Sequence, residues 1–122
     1  MTRQEYLDFY QELQNKKLAV TKQKNHDYAG HGDDNPFANF ELVEKMGFIS
    51  TEEGFVTRMT DKLSRIMTYI RKGRLIVENE GIEDALMDLS NYCDLLMGYI
   101  KSKNTQQLAD LYEEPKEPTI SE

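Results

Sequence analysis

The chain has 122 residues, of which 39% are hydrophobic and 30% charged, enough for one domain with one modest core and too few for two. Its formal net charge of −7 excludes a general grip on nucleic-acid backbone, which needs a basic surplus, but still allows clustered cations to hold one small phosphorylated ligand. One cysteine and two histidines exclude an internal disulfide framework and a cysteine–histidine zinc cluster.

The opening residues Met1-Thr2-Arg3-Gln4-Glu5-Tyr6 carry no apolar signal region, and nowhere does an apolar run approach the roughly 18 residues that span a bilayer. No membrane association and a reducing, cytoplasmic setting are the expectations. Thr2 with Glu5 forms a capping-box signature, and Tyr6, Phe9, Tyr10, Leu13 and Val20 follow at helical spacing, predicting a first helix to about Lys24. From Asn25 to Asn35 the helical period is lost and two glycines enter, so a loop is expected. Asn35-Pro36 reads as a cap with proline at the first helical position, opening a short helix that turns Phe37, Phe40, Val43 and Met46 inward and stops at Gly47.

A second capping box, Ser50 to Glu53, opens the third helix, with Phe55, Met59, Leu63, Ile66 and Ile70 as its stripe and Gly73 near its end. The β-branched run Arg74-Leu75-Ile76-Val77-Glu78 has no partner strand and reads as a turn or a helix extension. The fourth helix is predicted from about Glu80 to Lys103, burying Ile82, Leu86, Leu89, Cys93, Leu96 and Ile100. Cys93, among apolar neighbours, reads as a small core residue. A short helical turn is expected over Gln106 to Tyr112, followed by an acidic tail with Pro115 and Pro118. The fold class is therefore all-α, a bundle of three long helices and one short one forming a single domain over 1–112, with 113–122 as a disordered tail. Seven tyrosines and five phenylalanines exceed what so small a bundle hides, so a homo-oligomer is expected.

Three features carry chemistry. Glu80, Asp84 and Asp88 recur every fourth residue with Asn91 three further on, an arc of carboxylates that repel unless a cation joins them. Mg²⁺ prefers such oxygen ligands, although the same arc would also serve as a solvated face. Asp88 borders the apolar side near Tyr92 and Leu95 and is the acid expected to be partly buried. Arg58, Asp61, Lys62 and Arg65 form a strip on the third helix, spaced either to fork a phosphate chain or to pair with Asp84 or Asp88. The segment from Asn25 to Asn35 adds His26, Asp27, Tyr28, His31, Asp33 and Asp34, and Tyr28, Phe37 and Phe40 offer a face on which a base can stack.

Lys24-Asn25-His26-Asp27-Tyr28, Asn39-Phe40, Arg58-x-x-Asp61-Lys62-x-x-Arg65 and Glu80-x-x-x-Asp84-x-x-x-Asp88-Leu89-x-Asn91-Tyr92 together resemble the nucleotide modification associated domain 1 family of bacteriophages and bacteria. That resemblance spans about residues 15 to 100 and implies a role in phage nucleotide metabolism or DNA modification. Glu83-Asp84 followed by Asp88 is more distantly similar to the acidic helix of the all-α nucleoside triphosphate pyrophosphatases of the MazG type, which bind Mg²⁺ and cleave between the α and β phosphates. Their earlier helix carries paired glutamates, whereas the first helix here has Glu5, Asp8 and Glu12 near its start. Asp27, or Glu41 with Glu44, would have to substitute.

The leading expectation is a Mg²⁺-dependent nucleoside triphosphate pyrophosphohydrolase. Glu80, Asp84 and Asp88 would hold metal, and Asp27 and Asp88 would be catalytic. Lys24, Tyr28, Phe40, Arg58, Lys62, Arg65, Asn91 and Tyr92 would bind the nucleotide. Two competitors stand beside it: a non-enzymatic protein that sequesters a host signalling nucleotide, and a protein-binding adaptor that uses its aromatics and acidic tail.

Overall fold

A computed structural model describes residues 1–29, 35–73 and 81–113, with the side chains of 25–29 and 113 outside the description. Four helices run in the order α1 (Arg3–Ala29), α2 (Ala38–Lys45), α3 (Thr51–Lys72) and α4 (Ile82–Glu113), and there is no strand among the described residues. The all-α expectation of three long helices and one short one holds. The run 74–80 and the tail from residue 114 onward lie outside the described residues.

Local signals set most of the helix ends. At α1, the Thr2 amide donates to Glu5 Oε1 (2.7 Å) and the Glu5 amide donates to Thr2 Oγ1 (3.1 Å). Ser50 and Glu53 form the same reciprocal pair at α3. These side chains satisfy helix-start amides that have no intrahelical partner. Gly47 and Gly73 take left-handed backbone, φ 82° and 75°, where a Cβ would be strained. At the end of α2, the Phe48 amide reaches back to the Val43 carbonyl and the Gly47 amide to the Glu44 carbonyl, closing its last turn.

Several expected boundaries move. α1 continues through Asn25, His26, Asp27 and Tyr28 to Ala29 instead of ending near Lys24, because no glycine or proline interrupts it before Gly30. Residues 30–34 of the expected loop lie outside the described residues. The Asn35 side chain accepts the Phe37 amide (3.0 Å) within the turn of Pro36 and Phe37 instead of capping the helix; α2 begins at Ala38 with Phe37 as its N-cap. The turn expected over Gln106 to Tyr112 is no separate element; α4 runs unbroken through it, since the first breaker after Lys103 is Pro115.

The core is aromatic and small. Phe40 of α2 stacks on Phe55 of α3 (centroids 4.0 Å, planes 9° apart), and Tyr92 of α4 meets Phe40 edge-on at 6.1 Å. Phe37, Met59, Leu95, Leu96 and Tyr99 pack around them. Phe40 and Phe55 are 1% and 0% exposed; burying each contributes about 1.5–3 kcal/mol.

The inward face of α4 matches the expected one in part: Ile82, Leu89 and Leu96 are half-buried, and Leu96 packs on the core. Ala85, Asp88, Tyr92, Leu95 and Tyr99 face the bundle, buried or half-buried, whereas Leu86, Cys93 and Ile100 are exposed. Cys93 is thus not a core residue. Successive residues differ by about 100° around a helix, so docking along the 85–92–99 row turns Cys93 outward. On α3, Leu63 and Ile70 also lie on the open side, as does Met46 at the end of α2.

Candidate functional site

Helix α3 turns Phe55, Met59, Lys62 and Ile66 along one row, and α4 turns Ala85, Asp88, Tyr92 and Leu95 along another. Both rows step by threes and fours, and in each a charged residue takes an apolar position. The two charges meet: Lys62 Nζ lies 3.1 Å from Asp88 Oδ2. Lys24 of α1 lies 2.6 Å from the other oxygen, Oδ1. The side chains of Asp88 and Lys62 are only 21% and 14% exposed, so Asp88 is the partly buried acid, as its place beside Tyr92 and Leu95 implied. Its partial burial alone would raise the carboxyl pKa; hydrogen bonds and charge from Lys24 and Lys62 outweigh that and hold it below its ordinary value. Among the described residues one carboxylate faces two ammonium groups.

Helix α1 brings a polar face to the same place. Lys17, Thr21 and Lys24 recur at intervals of four and three. Lys17 pairs with Asp94 at 2.7 Å and also donates to Ser90 Oγ. Thr21 Oγ1 donates to Asn91 Oδ1 at 3.4 Å. Asn91 is 7% exposed, and its Nδ2 is buried with no hydrogen-bond partner among the described residues. Leaving a buried amide donor unpaired costs about 1–3 kcal/mol.

Asn91 is among the residues that line an open cleft of about 230 Å³ between α1, the start of α2 and α4, bounded also by Thr21, Lys24, Phe37, Asp94 and Gly98. Phe37 is one wall, its ring set by an edge contact to Tyr99 (5.5 Å, 78°). Gly98 has no side chain to fill the space beside it; a Cβ there would touch the Phe37 ring at 3.6 Å. The cleft is smaller than the roughly 300–1,000 Å³ typical of small-molecule sites, which suits one flat ring rather than a whole nucleotide.

The remaining candidates are scattered. Phe40, expected as a base platform, is buried between α2 and α3 with the Arg58 guanidinium 4.9 Å from its ring centre, so no ring face is left for a ligand. Tyr92 is likewise a core residue. Arg65 lies 3.4 Å from Asp61 on its own helix. Asp27 and Tyr28 belong to the last turn of α1 with their side chains outside the description, and Glu80, His31, Asp33 and Asp34 lie outside the described residues. Asp84 is exposed in the first turn of α4, accepting the Gly81 amide at 3.4 Å.

Among the described residues no three His, Cys, Asp or Glu side chains converge on one point. Asp84 acts as a helix cap, and both oxygens of Asp88 are taken by ammonium groups. As placed, these two acids are engaged elsewhere and do not form a Mg²⁺ shell between them, and Glu80 lies outside the described residues.

Lys17, Thr21, Asp94 and Gly98 were not anticipated as site residues. The signal that carries the first two is a row of polar residues on α1 where an amphipathic helix would place apolar ones. Comparisons with protein families, with curated proteins and with solved structures give no match to this chain.

Proposed function

We propose that this protein binds a nucleotide without requiring a metal, with its base in the Phe37–Asn91 cleft and its phosphates on Lys24 and Lys62. The observation that carries the reading is Asn91, which lines a cleft with an aromatic wall and whose Nδ2 is buried with no hydrogen-bond partner among the described residues. A turn of that side chain would offer the donor to a ligand that presents an acceptor, and a heteroaromatic ring does so while covering Phe37. Lys24 lines the same cleft and shares Asp88 with Lys62, so an ammonium group stands beside the base position. Phosphate would draw the two lysines from Asp88. The fit is to the sequestering alternative rather than to a Mg²⁺-dependent pyrophosphohydrolase, which would need Asp88 to exchange both lysines for metal.

The test is thermal shift and calorimetric titration with linear and cyclic nucleotides, with and without EDTA, followed by chromatography of the recovered ligand. A saturating nucleotide at a hundredfold excess over Kd should stabilise the fold by about 2.7 kcal/mol, indifferent to EDTA, and be recovered intact. Gly98→Leu, which fills the cleft without removing a polar group, should abolish the shift. Asp88→Asn should preserve or tighten binding, because it releases the two lysines. Loss of binding in EDTA, or pyrophosphate release with Mg²⁺, would overturn this reading in favour of the metal-dependent one. The absence of any shift would sink both.

A further inference from the structure

Half-buried residues of α1 recur at Leu13, Lys17, Val20, Thr21 and Lys24, so Lys17 takes a place where the helical period expects an apolar side chain. α1 and α4 run antiparallel where they meet: Lys17, Thr21 and Lys24 face Asp94, Asn91 and Asp88 in turn. Thr21 and Lys24 line the Asn91 cleft, whereas Lys17, one turn earlier on the same face, does not.

Among the described residues that line the cleft, two are charged, Lys24 and Asp94. An anionic ligand there meets an ammonium group and a carboxylate. At about 4 Å in bulk water, a bare carboxylate would cost an anion of unit charge about fivefold in affinity, and more in a less polar setting. Asp94 is not bare. Its Oδ2 lies 2.7 Å from Lys17 Nζ, and the same ammonium donates to Ser90 Oγ. The Lys17 side chain is 15% exposed and that of Asp94 57%. The lysine is therefore held between the helices by two acceptors one turn apart on α4, while the carboxylate it neutralises stays open to solvent. An exposed, flexible lysine would not keep its charge in one place in this way.

We infer that Lys17 is a positioning residue of this site, which neutralises Asp94 so that the Asn91 cleft admits an anionic ligand. This rests on the nucleotide reading above. Lys17 acts through Asp94 and not by touching the ligand. Its removal would both loosen α1 and bare the charge of Asp94, and only the second effect is undone by removing that charge as well.

Calorimetric titration of the full chain with AMP, GMP, ATP and GTP, without Mg²⁺, tests it. Lys17→Gln should weaken the triphosphates by about five- to tenfold. The loss should be larger for triphosphates than for monophosphates and should shrink as salt is raised. Asp94→Asn alone should tighten triphosphate binding, because Lys17 then carries its charge uncompensated. Lys17→Gln combined with Asp94→Asn should return triphosphate affinity to within about twofold of the wild type. Should the Lys17 variants fail to fold, Asp94→Asn decides by itself. Unchanged or weaker triphosphate binding in Asp94→Asn would overturn the inference. So would a double variant without rescue, or a loss equal for mono- and triphosphates, either of which leaves Lys17 an anchor of α1 only. A wild type that binds none of the four probes would sink the nucleotide reading itself, and this inference with it.

Discussion

Asp88 occupies a position that the spacing of α4 reserves for an apolar residue, and it is tolerated there because Lys24 and Lys62 each take one of its oxygens. Removing one partner from such a half-buried cluster costs more than the pair itself contributes, since the remaining charges stay desolvated. Lys62→Ala is therefore expected to destabilise the fold by about 2 kcal/mol, more than Lys24→Ala, because Lys62 is the more buried lysine; urea titration of the two variants checks the order. The pH dependence follows from the depressed carboxyl. A group whose folded pKa lies below its unfolded value stabilises fully above the unfolded value, near pH 4, and loses that contribution as pH falls through the lower folded one. Glu44 acts in the same direction, its carboxyl held low by the amide and hydroxyl of Thr51. The thermal midpoint should be flat from about pH 7 to 5 and fall below about pH 4, and Asp88→Asn should flatten part of that fall. A midpoint insensitive to acid would contradict the ion-pair geometry.

At the scale of the element, the helix ends are the most local part of the design. Ser50 and Glu53 satisfy two amides that α3 would otherwise leave to water, and Ser50→Ala should cost about 1 kcal/mol. Gly73 should behave comparably: a Cβ at φ 75° is strained whatever space surrounds it, so Gly73→Ala should destabilise by about 1 kcal/mol. Equilibrium unfolding of each variant measures both. These ends were legible in the sequence because a cap needs only residues three or four apart. The face that each helix buries was less legible. For α4 the spacing pointed to Ile82, Leu86, Leu89, Cys93, Leu96 and Ile100; packing on the aromatic cluster of Phe40 and Phe55 kept Ile82, Leu89 and Leu96 partly covered but turned Ala85, Tyr92 and Tyr99 inward in place of Leu86, Cys93 and Ile100. The inward position of Asp88 went with that choice.

Across the whole molecule, α1 is held differently from the others. α2, α3 and α4 share the aromatic core, whereas α1 meets α4 through Lys17, Thr21 and Lys24 and their polar partners. Ion pairs with one exposed partner are weakened by salt, and apolar contacts are not. Raising the salt concentration should therefore loosen α1 before the core melts, seen as earlier hydrogen exchange in 14–24 than in 55–66. Phe55→Ala, by contrast, should cost about 3–5 kcal/mol and melt the bundle as a unit in a salt-independent way.

The sequence by itself determined the all-α class, three long helices and one short one, and the capping boxes that open α1 and α3, because those depend on interactions within one turn or on a period of 3.6. It also marked Asp88 as the acid bordering an apolar side, and named Lys24, Lys62 and Asn91 as ligand candidates. Tertiary structure decided what those residues do. Docking set which residues of α4 faced inward, turning Cys93 out, burying Phe40 and Tyr92 in the core, and bringing Thr21 to the Asn91 cleft and Lys17 onto Asp94 and Ser90. Pairing between residues more than sixty positions apart is fixed by how helices pack against one another. The same packing left Asn91 Nδ2 without a partner among the described residues and the aromatic face of α1 exposed.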